Sequence, residues 1–168
     1  MISTAGIDFG NSNCVVAVPK DSSVKVVLNQ SSNRLTPTMV CYSNDRRYAG
    51  ELAAQNQMQY PQGTITDLKK LVNLQYDSPE RQDISQLIPY KYLVKLEDGT
   101  VGIKVSYHDQ EIILRPEQCI AFLLRELASY PDVNGIEDYV ITVNPWWSER
   151  ARRTLLNAFQ IAKLKCSC

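Results

Sequence analysis

Gly6-Ile7-Asp8-Phe9-Gly10-Asn11-Ser12-Asn13-Cys14 sets a carboxylate at the end of an apolar run and a glycine turn directly behind it. In such a turn, successive backbone N–H groups can point into one concavity and bind anionic oxygens, phosphate above all. Ser12 and Asn13 add side-chain donors. Asp8 is ill suited to touch a phosphate directly, because two anions repel. It suits a hydrated cation that bridges to the phosphate. On the residues alone the segment also reads as an ordinary hairpin with a polar turn, which is the commoner case. Lys69, within Thr66-Asp67-Leu68-Lys69-Lys70-Leu71, reads as a lysine reaching a transferred phosphate or, more often in such a setting, as a solvated lysine on a helical turn. Asn144-Pro145-Trp146-Trp147 lies between a buried strand and a helix. It reads equally as an interface anchor or as packing between subdomains. Arg152 and Arg153 read as surface charges, and His108, the only histidine, as an exposed and inert turn residue. No Cys/His or Ser/His/Asp arrangement for covalent catalysis is visible.

The elements that position these residues follow from pattern. Ile7 to Phe9, Cys14 to Val18 closed by Pro19, Val24 to Leu28 and Thr38 to Tyr42 read as a meander of strands, since the gaps are too short for crossover helices. Glu51 to Met58 reads as a short helix, Asp67 to Asn73 as one or two helical turns, and Pro79 to Leu87 as a weak helix. Tyr92 to Glu97 and Thr100 to Ser106 flank Asp98-Gly99, the strongest hairpin signal in the chain, and Glu111 to Leu114 adds a strand. The last third changes period. Pro116 suits a first helical position, and Ile120, Leu123, Leu124 and Leu127 line one helical face. Tyr139 to Val143 reads as a buried strand. Ser148 caps a helix that buries Ala151, Leu155, Ala158, Phe159 and Ala162.

At 168 residues the chain is one domain or two tightly joined subdomains. Lysine plus arginine equals aspartate plus glutamate, 18 each. That balance argues against a dedicated nucleic-acid surface. No apolar run approaches the roughly 20 residues of a membrane span, and the first residues carry no secretory pattern. Cys14, Cys41 and Cys119 sit in apolar runs and read as buried hydrophobes, while Cys166 and Cys168 lack a zinc-ligand spacing. An odd count without a disulfide framework points to a reducing compartment, the cytosol.

Together these pieces resemble a known family. Residues 6–13 are similar to the first phosphate loop of the seventy-kilodalton heat-shock chaperones. Ser32 to Thr38 resembles that family's Asn-Arg-x-Thr-Pro-Ser segment, and Asp67 to Leu71 its Lys-Arg-Leu turn. Val140 to Val143, with the helix containing Arg152 and Gln160-Ile161-Ala162, resembles its strand–helix pair. The likeness runs in register from residue 6 to about residue 165. Gly10 to Asn13, Gly102 to Val105 and Pro145 to Glu149 look most like the larger branch, the hundred-and-ten-kilodalton heat-shock proteins, which act mainly as nucleotide-exchange factors and holdases.

The resemblance implies an α/β actin-like ATPase fold with an RNase-H-like core: a mixed five-stranded sheet with helices, plus a small α+β subdomain. Residues 1–168 would form lobe I only, with 1–41 and 115–168 as the core subdomain and 42–114 as the inserted one. It implies ATP or ADP as ligand with Mg2+, and K+ as a further cation. Asp8 would handle the cation through water, Gly10, Asn11, Ser12 and Asn13 would grip the phosphates, and Lys69 with Asp8 would be catalytic. Asn144, Pro145 and Arg152 would form an interdomain relay, and a seventy-kilodalton chaperone and unfolded clients would be partners. Asn11 and Ser12 stand where the chaperones have water-positioning threonines, which argues against fast hydrolysis. Asn144 stands at the family's switch proline, and Cys168 at its J-domain-docking arginine. The family continues beyond Cys168 with a second phosphate loop, so a truncated piece, with ATPase activity absent or slow, is the expectation. A divergent ATP-hydrolysing chaperone, a sugar kinase or filament protein of the same core, and an interaction module with a dead site are the competing readings.

Overall fold

The computed structural model describes residues 4–81 and 92–167. Its first sheet begins with β1 (Thr4–Phe9), in which Ala5, Ile7 and Phe9 are buried while Gly6 and Asp8 face outward. That alternation makes the strand. β2 (Asn13–Lys20) and β3 (Ser23–Val26) continue antiparallel, and β4 (Thr36–Pro37) pairs with the start of β2. β2 runs through Pro19 instead of stopping before it. Pairing with β1 has already ended at Ala17, so the missing N–H of Pro19 leaves no ladder position empty.

Residues 40–65 form a second sheet from β5 (Val40–Tyr42), β6 (Arg47–Ala49) and β7 (Thr64–Ile65), with β5 central. α1 (Gly50–Asn56) follows β6, and α2 (Leu68–Leu71) follows β7. The helix expected over Pro79 to Leu87 extends outside the described residues. A third sheet, β8 (Leu93–Lys95), β9 (Val101–Tyr107) and β10 (Gln110–Leu114), is the expected meander, and Gly99 at φ +80° makes its first turn. α3 (Pro116–Ala128) opens on its proline, and β11 (Asp138–Ile141) joins the first sheet parallel to β1. α4 (Glu149–Ala162) is capped by Ser148, whose Oγ accepts from the Ala151 N–H at 3.3 Å.

The first sheet thus has five strands, in the order β11-β1-β2-β3 with β4 beside β2. α3 and α4 pack together, and one continuous core joins Ile7, Phe9 and Val16 to Ile120, Leu124, Leu155 and Phe159 and onward to Ile65, Leu68 and Ile103. Cys14, Cys41 and Cys119 are buried free thiols, as expected. His108 is exposed against the Tyr107 ring.

Glu126 of α3 is a half-buried carboxylate that accepts from Gln30 Nε2 at 3.0 Å, and burial pushes its carboxyl above the ordinary value. The folded state therefore holds this proton longer than the unfolded chain does. Stability from this group is present below the ordinary glutamate value and falls as pH rises through the folded one. Glu126→Gln should be the more stable protein at neutral pH, and the difference should vanish in acid. Urea unfolding of both proteins across pH checks this.

Candidate functional site

At the end of β1 the chain turns through Gly10, Asn11 and Ser12 into β2. The Gly10 N–H closes the turn on the Asn13 carbonyl at 3.1 Å, and the Ser12 carbonyl accepts from the buried Thr38 N–H at 2.9 Å. The turn is thereby tied at both ends. Among the described residues, the N–H groups of Asn11 and Ser12 have no acceptor within the protein, and both residues are exposed. Two adjacent amides are thus left unpaired on a turn tied at both ends, an arrangement that can accept an anion, while the Gly10 amide is spent within the turn. A cavity of about 300 Å³ opens beside them, lined by Asn11, Ser12, Thr38, Met39, Thr66 and Asp67.

Asp8 faces outward, and its Oδ1 accepts from the Thr142 hydroxyl at 2.8 Å. Lys69, on α2, is half-buried and donates to the Phe9 carbonyl at 2.7 Å. Among the described residues no carboxylate forms an ion pair with it, whereas its neighbour Lys70 pairs with Asp67 at 2.8 Å. The Lys69 ammonium also stands 6.0 Å from the centres of the Phe9 and Trp147 rings. Burial pushes the Cys14 thiol up to about 11, against the lowering effect of its bond to Thr38. Asp8, and Phe9 whose carbonyl takes Lys69, lead directly into the turn of Gly10, Asn11, Ser12 and Asn13.

Asn144, Pro145 and Arg152 form a second group close by. The Asn144 side chain accepts from the Trp146 N–H at 3.0 Å and its carbonyl from the Trp147 N–H at 3.0 Å, so Asn144 builds the turn locally. Arg152, half-buried rather than a free surface charge, donates to the carbonyls of Trp147 at 3.3 Å and Pro145 at 3.4 Å. The tryptophans part company: Trp146 is 89% exposed, while Trp147 packs against the core. Thr142 is the participant that residue types alone did not single out. It reads as one more β-former in a buried run, and only the pairing of β11 with β1 brings it beside Asp8.

A single exposed carboxylate is compatible with a hydrated divalent ion held through its water shell. Among the described residues no cluster of three or more potential metal ligands occurs, so a cation at Asp8 would have one carboxylate and take its other oxygens from water and phosphate.

A mixed five-stranded sheet whose first hairpin carries a glycine turn with free amides, under a helix pair, is the first lobe of an actin-like ATPase fold. The chain belongs to the Hsp70 family: the family model described as Hsp70 protein matches residues 4–167. It is 34% identical over 162 residues to a heat shock protein homolog of Candida glabrata, a match covering 95% of this chain and 23% of that protein. It is 32% identical to "Heat shock protein 88" of Dictyostelium discoideum, covering 95% of this chain and 21% of that one, and 32% identical to "Heat shock 70 kDa protein 14" of Arabidopsis thaliana, covering 97% and 20%. The chain thus spans between a fifth and a quarter of the length of these relatives. Among the described residues no helix is long and apolar enough to cross a membrane.

Proposed function

We propose that this chain supplies the phosphate-gripping wall of an ATP-binding clamp, in a chaperone whose bound nucleotide is chiefly a structural ligand. The observation that carries the reading is the pair of free amides at Asn11 and Ser12, on the turn that follows Asp8 and the Phe9 carbonyl to which Lys69 donates. The amides of Asn11 and Ser12, with the side chains of Ser12 and Asn13, grip the β- and γ-phosphates, and Gly10, its own N–H spent on the Asn13 carbonyl, shapes the turn that presents them. Lys69 meets the terminal phosphate, and Asp8 holds hydrated Mg2+, which neutralises phosphate charge when bound. Nucleotide affinity comes from burial between two walls, so one wall binds weakly. Residues 1–41 and 115–168 serve as the core subdomain and 42–114 as the smaller one. Asn144, Pro145 and Arg152 relay the state of the site.

Titrating Mg-ATP into the isotopically labelled chain should shift the amide signals of Gly10 to Asn13 with weak, saturable affinity. Shifts confined to other regions would overturn the assignment.

Beyond the lobe, the substitution of threonine positions by Asn11 and Ser12 favours an exchange factor and holdase, cytoplasmic, acting on a seventy-kilodalton chaperone and unfolded clients. A chimera joining residues 1–168 to the remainder of the Candida glabrata relative should speed release of labelled ADP from such a partner. No acceleration counts against this role. A second reading, a slow hydrolysing chaperone, is favoured by the half-buried Lys69 without a carboxylate partner. Single-turnover hydrolysis by the same chimera that is indifferent to Lys69→Ala would remove it.

A further inference from the structure

The parallel register of β1 and β11 sets Ile7 opposite Ile141, so the next residues along, Asp8 and Thr142, are neighbours on the outward face of the sheet. Thr142 has left the strand proper, yet it is held three ways. Its N–H donates to the Ile7 carbonyl at 2.9 Å, its hydroxyl oxygen accepts from the Phe9 N–H at 2.9 Å, and the hydroxyl proton goes to Asp8 Oδ1 at 2.8 Å. A hydroxyl has one proton to give. Because the Phe9 N–H occupies its oxygen as a donor, the proton's direction is settled: it points at the carboxylate. The Phe9 carbonyl in turn takes Lys69. One residue of β1 therefore joins the carboxylate side of the site to its ammonium side.

We propose that Thr142 is the positioning residue of the cation site: its hydroxyl fixes the Asp8 carboxylate in one orientation and leaves Oδ2 free to face hydrated magnesium. This rests on the reading of Asp8 given above. An exposed aspartate side chain otherwise samples its rotamers, and ordering it would have to be done by the ligand. A pre-oriented carboxylate binds the hydrated ion without that loss. Valine has the same branched shape but no hydroxyl, so it removes the hold and leaves the Phe9 N–H without its partner. Serine keeps both bonds.

The test is the ratio of ATP affinity with magnesium to that with EDTA, measured on the whole chain by calorimetry or by amide shifts. Thr142→Val should lower this ratio about threefold to tenfold, the range of one ordinary net hydrogen bond. Thr142→Ser should restore the ratio. A valine variant with the parent ratio overturns the proposal. Asp8→Asn separates the two layers. If it abolishes the magnesium effect and Thr142→Val does not, only the role of Thr142 falls. If neither matters, the reading of Asp8 falls with it. Should the valine variant not fold, the parent protein decides: the Thr142 methyl signal should move when magnesium is added to the ATP-bound chain, and a methyl that stays still while the Asp8 amide moves overturns the proposal.

Discussion

Gly10→Ala should weaken Mg-ATP binding by at least about tenfold while the rest of the fold persists. A Cβ at this position would lie 2.3 Å from the Asn13 carbonyl oxygen and 3.5 Å from its carbon. Both are backbone atoms, so no side chain can swing aside. Relief requires the turn to open, which breaks the Gly10–Asn13 bond and pulls on the Ser12 carbonyl that Thr38 holds. The free amides of Asn11 and Ser12 are then aimed elsewhere. Each amide lost to an anionic oxygen is worth about 1.5–3 kcal/mol before screening, and one such loss already reaches tenfold. The accompanying loss of stability should be only about 1–3 kcal/mol, the usual range for local overpacking. Calorimetric titration beside a thermal melt separates the two effects. Parent affinity in a folded Gly10→Ala protein would show that these amides do not meet the phosphate.

What could be read from residues alone was whatever is local. α3 and α4 announce themselves because a helix repeats its apolar face every few residues and carries its own start signals, here Pro116 and Ser148. The Asp98-Gly99 turn is equally local. β4, β6 and β7 were not legible. With two or three residues each they show no alternation, and they exist only because a partner strand is already in place. The site shows the same division. The glycine turn after Asp8 is contiguous and visible, but residue types alone leave it equally an ordinary polar hairpin turn, and only the in-register family resemblance gives it a chemical reading. The bond from Lys69 to Phe9 spans 60 residues, and that from Thr142 to Asp8 spans 134. No spacing rule reaches that far; both depend on sheet register and on how α2 is set beside β1. Arg152 looked like a surface charge for the same reason, since the carbonyls it holds belong to a turn whose shape Asn144 imposes.

The same limit hides Gly63, which no chemical pattern marks and which should prove among the least replaceable residues of the chain. It precedes β7, where the chain passes within hydrogen-bonding distance of β5: the Tyr42 N–H donates to the Gly63 carbonyl at 2.9 Å. A Cβ there would stand 1.8 Å from the Tyr42 oxygen, 2.9 Å from its carbonyl carbon and 3.3 Å from its nitrogen. The first is far inside any van der Waals contact, and all three atoms are backbone. β5 and β7 would have to separate, giving up the pairing of Val40 with Ile65 and Cys41 with Thr64 and drawing the buried Ile65 from the core. Gly63→Ala should therefore destabilise the chain by about 3 kcal/mol or more, at the upper end of overpacking effects. For a chain of this length that corresponds to a drop in Tm of about 6–12 °C. Gly135→Ala is the matched control. Gly135 sits at φ +83° with no heavy atom within 4 Å of the added carbon, so backbone strain alone applies, about 1 kcal/mol. If the two variants melt within a degree or two of each other, steric exclusion between β5 and β7 is not what makes Gly63 necessary, and the close approach of these strands yields more readily than its geometry implies.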